Sequence, residues 1–291
     1  MATNVSIERI TSARIFGLRR VVSKTGTIPT LSIVGAGIVV VLALGATFAP
    51  LLTHWNPTQI DFNAVLVGPG TQGHFLGTDR NGMDIWSRVL FGARIDLLIA
   101  IVSVLAGAII GTVLGATSGY VGGWFDEVSM RACDVVQAVP GFILALTVAT
   151  VLGTSFLDLV IALTVSSAPN YMRLMRTEVR SAREEAWVEA ARSSGVSAPN
   201  LLFRQVVPNC LGPVLVIAPL ACGWHILALA GLSFVGLGVQ IPQPEWGAMI
   251  ANSTGDLASG AWWTSVIPGI ALFIAVLGFS LISEGFQERR H

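Results

Sequence analysis

Residues 173–195 read RLMRTEVRSAREEAWVEAARSSG, an arginine-rich polar island between apolar runs at 156–172 and 206–232. That island decides how the rest of the chain is read. A polar stretch flanked by segments long enough to sit in hydrocarbon is a connection between membrane crossings. A bilayer core of about 30 Å takes about 20 apolar residues per helical span. Composition agrees: of 291 residues, 53% are hydrophobic and 12% charged, with a mean hydropathy of +0.72. A soluble domain carries about 25% charged residues. The solvent around most of this chain is lipid.

Working outward from the island, six spans are predicted, near 31–52, 95–117, 133–152, 156–172, 206–232 and 264–283. The fold class is all-α, a polytopic membrane protein. The fifth run continues through Gly238 and contains Pro208, Pro213 and Pro219. Proline frees a backbone carbonyl and kinks a helix, which lipid tolerates only where neighbours or cavity water satisfy that group. This helix is a candidate for lining a path, or else an irregular packing element.

The distribution of arginine sets orientation. Fourteen of the seventeen basic residues fall on one side: Arg9, Arg14, Arg19, Arg20 and Lys24; the six of residues 173–204; Arg131; Arg289 and Arg290. Only Arg80, Arg88 and Arg94 fall on the other. Cytoplasmic loops carry the excess of Lys and Arg, so both termini are expected in the cytoplasm. Trp55, Trp86, Trp124, Trp262 and Trp263 fall near span ends, where indoles prefer the interface. Two segments then face outside, Thr53 to Arg94 and Val239 to Trp263, neither large enough for an independent domain. The expected divisions are a cytoplasmic segment 1–30, a first helix with its outer segment 31–94, a core 95–286 carrying a loop at 181–208, and a tail 287–291. Residues 1–29 are polar and basic with no cleavable signal apparent, and the first apolar run is long enough to stay as a span.

Several function classes are excluded. A net charge of zero gives no nucleic-acid footprint. A phosphate-binding loop needs Gly-Lys-Ser/Thr, and the only lysine, Lys24, follows Ser23. There is no Gly-x-Ser-x-Gly, no paired cysteine and no histidine pair at ligand spacing. Cys133, Cys210 and Cys222 read as small apolar fillers. Asp79-Arg80-Asn81-Gly82-Met83-Asp84 lacks the ligands of a cation loop and reads as a turn. Asp134 and Asp158 read as interfacial. His225, deeper in the fifth span, is a hydrogen-bonded core histidine or a contact on a translocation path.

Within the island, residues 181–205 read as two short helices joined at Gly195. The first places Trp187, Ala190 and Ala191 at helical spacing, with Glu189 and Arg192 as an i,i+3 pair worth about 0.2–0.5 kcal/mol. Gly195 can end it in the left-handed conformation. Ser197 can cap the second, with Pro199 in its first turn. Taken alone, this pattern fits a compact knob or an amphipathic helix lying on the membrane surface.

The order of motifs narrows the choice. Glu189-Ala190-Ala191-Arg192 with Gly195 and then Pro208 resembles the EAA loop of binding-protein-dependent ABC importer permeases. With it come His74-Phe75-Leu76-Gly77-Thr78-Asp79, the stretch Asp84 to Arg94, Gly119-Tyr120-Val121-Gly122-Gly123, Pro140-Gly141, Trp246-Gly247-Ala248-Met249-Ile250 and Trp262-Trp263. Together they resemble the C-type permease subunit of the oligopeptide/dipeptide/nickel importer family over most of the chain. Three positions depart from that pattern: Phe75 replaces a proline, Met83 an arginine, and Val207 a leucine. The first two bear on the outer face; the third conserves volume.

The resemblance implies a type I ABC importer permease architecture and a heterodimer with a homologous B-type permease. It implies two ATPase domains inside, which bind the ATP and magnesium, and a solute-binding protein outside. This chain would carry no cofactor and catalyse nothing. Glu189, Ala190, Ala191, Arg192, Gly195 and Pro208 would couple it to the ATPases. Gly77, Thr78 and Asp79 would meet an outer partner. The cargo would be an oligopeptide or dipeptide, with glutathione and nickel as alternatives. A proton-coupled secondary transporter acting alone, or a scaffold, would leave the loop unexplained.

Overall fold

The computed structural model describes residues 30–288. The basic residues of 1–29 and Arg289 and Arg290, on which part of the expected orientation rests, lie outside the described residues. Every regular element described is helical, and β pairing is confined to two isolated bridges, Thr71 with His74 and Thr78 with Asp84. In chain order the helices are α1 (Thr30–Thr47), α2 (Ala49–Leu52), α3 (Ile85–Val121), α4 (Gly123–Gln137), α5 (Gly141–Leu152) and α6 (Phe156–Ala182). Then come α7 (Ala186–Ser193), α8 (Ala198–Leu201), α9 (Val207–Cys210), α10 (Gly212–Phe234), α11 (Trp246–Asn252) and α12 (Trp263–Glu288).

Among the described residues, α1, α3, α10 and α12 are long and apolar enough to cross a bilayer unaided. Six crossings were expected; α6, where the fourth was placed, is not among these four, and the third is corrected. It is not one helix but α4 and α5, bent by 85°. Pro140 supplies the reason: it has no N–H for a continuing ladder and drives the preceding residue out of the helical region. The 12 residues of α5 span about 18 Å, too little to cross alone.

Helix ends also depart from the hydropathy boundaries. α3 begins at Ile85, ten residues before the apolar run was expected to open a span. Asp84 caps it, its Oδ1 accepting from the Ser87 N–H at 2.7 Å. Its 37 residues extend about 55 Å, well beyond the hydrocarbon thickness. α6 opens on a capping box between Ser155 and Asp158 and runs on to Ala182. Residues 173–182, expected in a loop, are therefore its polar last turns. Pro208 and Pro213 stand in the first turns of α9 and α10, so the fifth span starts at Gly212 and only Pro219 is interior to it.

α3 and α6 form the spine. Gly107, Gly111, Gly115 and Gly119 recur every four residues along α3. A Cβ at these positions would strike Ser167 Oγ or the backbone of Ala168, Met172 and Arg176 on α6. Without a hydrophobic driving force in lipid, such small-residue stripes let backbones approach and gain dispersion contact. α1 closes on α12 in the same way, Gly35 against the Gly278 backbone.

At the end of the spine away from the arginine cluster, residues 53–84 and 235–262 fold together into a cap. Arg80 pairs with Asp256 at 2.8 Å. Arg88 donates to the carbonyls of Pro57 and Pro242 at 2.9 and 3.0 Å. The Trp263 indole donates to the Thr78 carbonyl at 3.1 Å and the Trp246 indole to that of Val89 at 3.0 Å.

Candidate functional site

The arginine-rich end carries the compact knob. α6 stops at Arg183, and a two-residue link brings the chain to α7, with Glu185 in extended conformation at its N-cap. Glu189 in the first turn and Arg192 in the last complement the helix dipole. At the far end the Gly195 N–H donates to the Arg192 carbonyl at 3.1 Å and the Val196 N–H to that of Ala191 at 3.3 Å. These two bonds make a Schellman closure, which needs a left-handed residue between them, and Gly195 has φ of +81°. Ser197 stands at the N-cap of α8 as expected, but its side chain makes no capping bond. A π-helical turn over Leu202–Val206 then leads into α9.

The predicted apolar stripe divides. Val188 is fully buried, and Ala191 and Val196 pack against the same core. Trp187 and Ala190 are instead exposed. The seat is thus Val188 and Ala191, one helical turn apart, and the face bearing Trp187, Glu189 and Ala190 remains free for another surface. The expected pairing of Glu189 with Arg192 is corrected as well. Among the described residues they form no ion pair; the Arg192 guanidinium lies 5.9 Å from the centre of the Tyr120 ring. Pro208 sits in the first turn of α9, beyond the knob proper.

In the cap, Gly77, Thr78 and Asp79 come together in a different role from the one expected. Thr78 is fully buried; its hydroxyl accepts from the Val67 N–H at 2.9 Å and donates to the Ala64 carbonyl. Asp79 accepts from the N–H groups of Asn81 and Met83 at 2.8 and 2.9 Å, closing the expected turn. Burial pushes its carboxyl above the ordinary aspartate range, against the pull of those N–H groups and of Arg88. A Cβ on Gly77 would strike the Val67 carbonyl and the Trp263 indole. The Thr78 and Asp79 side chains hold the cap's own fold, while neighbouring Phe75 is 68% exposed.

His225 is buried on α10, its Nδ1 sharing a hydrogen bond of 2.6 Å with Ser103 Oγ on α3. Asp134 pairs with Arg173 at 2.7 Å. All three cysteines are free and buried. Among the described residues no three His, Cys, Asp or Glu side chains gather to hold a metal ion.

The knob thus has one buried seat and one exposed face, at the end of the α3–α6 helix pair. Residues 107–289 match the binding-protein-dependent transport system inner membrane component family. The chain belongs to that family. It is 38% identical over 258 residues to the dipeptide transport system permease protein DppC of Alkalihalophilus pseudofirmus, covering 89% of this chain and 84% of that protein. It is 37% identical over 257 residues to the glutathione transport system permease protein GsiD of Pectobacterium atrosepticum, covering 88% and 85%. To the GsiD of Escherichia coli O1:K1 / APEC it is 38% identical over 259 residues, covering 89% and 85%. This inner membrane component is therefore a multi-pass permease, and the reading as a secondary transporter acting alone is set aside.

Sequence reasoning passed over three features of this transport-system component. The glycine stripe of α3 was visible as a spacing of four. Asp96, alone within an apolar run, was a signal by itself; it is fully buried, and its Oδ2 accepts from the Trp246 N–H at 3.1 Å. Tyr120 was quoted as part of a motif, but nothing local linked it to α7.

Proposed function

We propose that this chain is one transmembrane half of an ATP-driven importer of short peptides, paired with a homologous B-type permease. Its arginine-rich end faces the cytoplasm, and its knob docks on ATPase subunits that bind the ATP and magnesium. The cap faces a solute-binding protein outside. The observation that carries this reading is the knob itself: a short helix closed at Gly195, seated by Val188, with Glu189 and Ala190 turned outward. Such a surface has no use in a permease that works alone. The arginine distribution supports the orientation, and the names of the relatives support peptide cargo, glutathione being itself a short peptide.

ATP binding would close the ATPases, and the knob would carry that displacement to the α3–α6 spine. Exposed charges contribute little to stability, about 0–1 kcal/mol. Reversing Glu189 to Arg is therefore expected to leave membrane insertion and permease pairing intact, and to reduce association with the ATPases or their stimulation by loaded binding protein. Co-purification of the subunits, followed by hydrolysis assays and uptake of a labelled dipeptide, checks this. Parental assembly and hydrolysis in Glu189→Arg would make Glu189 a solvated charge and remove its assigned role.

A further inference from the structure

A coupling element transmits force only if it cannot pivot on its own attachment. The knob's covalent attachment to the spine is thin. α7 is joined to α6 by Glu184 and Glu185, both exposed, and leaves through a glycine. Its one fully buried side chain is Val188, near the first turn. Pushed at its exposed face, α7 would rock about that link, with Val188 as fulcrum, unless its last turn were also held.

A second hold is present, and it comes from α3. Tyr120 stands in the last turn of α3, directly after Gly119, whose close approach to the Arg176 backbone fixes this tip of α3 to α6. The Tyr120 ring faces the guanidinium of Arg192, in the last turn of α7. The Tyr120 carbonyl accepts from Arg183 Nη1 at 2.8 Å, at the end of α6 where the link begins. Tyr120, Ala182, Ala191 and Val196 pack against one continuous core. Position 120 of α3 thus meets both ends of the lever: its backbone carbonyl where the link starts, and its ring where α7 finishes. Beside it, a cavity of about 290 Å³ lies between the Gly122-Gly123 turn and Arg180, Arg183 and Glu184.

We propose that Tyr120 is a positioning residue for coupling: with Arg192 and Arg183 it clamps α7 to the α3–α6 spine, so that a push on the knob moves the spine as a body. This rests on the knob being the ATPase contact, and it divides the motif's two charges. Glu189 serves the partner, and Arg192 serves the clamp.

The test has an arm that needs no partner. A spin label at Ala190→Cys, in a background free of other cysteines, reports motion of α7 in the full chain reconstituted in nanodiscs. Tyr120→Ala should make the label clearly more mobile, Arg192→Gln should do the same, and the double variant should be no more mobile than either single. Tyr120→Phe keeps the ring and should behave like the parent. In the assembled transporter, Tyr120→Ala should lower uptake and binding-protein-stimulated hydrolysis by about threefold or more, the scale of an exposed cation–π contact. Its ATPase subunits should still co-purify, and Tyr120→Phe should restore both activities. Unchanged label mobility in Tyr120→Ala, additive effects in the double variant, or failure of Tyr120→Phe to restore would each overturn the clamp. If the parental chain captures no ATPase while the label still responds to Tyr120→Ala, the clamp stands and the coupling function assigned to the knob falls.

Discussion

The cap and the knob carry the two densest sequence motifs of the chain, and they use them in opposite ways. In the cap the motif's Gly77, Thr78 and Asp79 are buried. Thr78 is fully buried, Asp79 nearly so, and Gly77 lies against the Val67 carbonyl and the Trp263 indole. In the knob the motif residues point outward or sideways: Glu189, Ala190 and Arg192 are exposed, and Gly195 has open space about its α-carbon. A motif in a transporter loop can thus mark a scaffold or a contact surface, and burial separates the two. The cap's polar side chains satisfy its own backbone, as a structured non-helical segment must. In the knob, Glu189 makes no such bond and stays exposed.

The sharpest test of that contrast places the same substitution in both. Gly77 and Gly195 have nearly equal φ, +79° and +81°. A valine at Gly77 adds steric overlap with backbone to the conformational strain, and the loss should reach several kcal/mol, in the range of core disruption. Gly77→Val is expected not to accumulate as a folded chain. Gly195→Val carries only the left-handed penalty, about 1–2 kcal/mol. It should accumulate and melt close to the parent while uptake is lost. Similar melting losses in the two variants would erase the distinction between scaffold and surface.

Accessibility offers a second, smaller effect. A cysteine at Phe75, in a background free of other cysteines, should react in intact cells with an impermeant thiol reagent and be protected by binding protein. One at Thr78 should stay unreactive until the cap is unfolded. Labelling of Thr78→Cys in the folded chain would return that residue to the surface; labelling of Phe75→Cys only after lysis would reverse the orientation.

The smallest effect concerns Asp79. Its folded-state pKa is raised from 3.8, chiefly by burial. The folded chain therefore takes up the proton more readily than the unfolded one. As pH rises from 3.8 through the raised value, stability falls, because a buried charge forms. Asp79→Asn keeps the acceptor for Asn81 and Met83 but cannot ionise. It should flatten this acid-side dependence, with a change of about 1 kcal/mol or less near neutrality. Thermal melts across an acid series measure it, and a parent that gains stability as pH rises through that window would contradict the assignment.

How much could be read beforehand follows from the range of each signal. Local chemistry was legible: the Gly195 closure needs only six consecutive residues, and the turn at Asp79 needs five. Boundaries set by hydropathy were less so, because a helix does not stop where its side chains become polar. α3 therefore starts earlier than expected, and α6 ends later. The break at Pro140 stands in the sequence, but the 85° angle across it depends on what α4 packs against. Two ion pairs, Asp126 with Arg176 and Asp134 with Arg173, tie α4 to α6 across some forty to fifty residues.

The sequence by itself determined that this protein is helical, lies in a membrane and carries an arginine-rich polar island with two short helical patterns joined at Gly195. Those properties follow from composition and from periodicities a few residues long, where solvent preference and backbone geometry act locally. Only the tertiary structure decided which motif residues are buried, that Glu189 and Arg192 do not pair, and that Tyr120 meets α7. Those outcomes depend on contacts between residues tens of positions apart, here Tyr120 with Arg192, and no local pattern encodes which side chains the close packing of α3 on α6 will bring together.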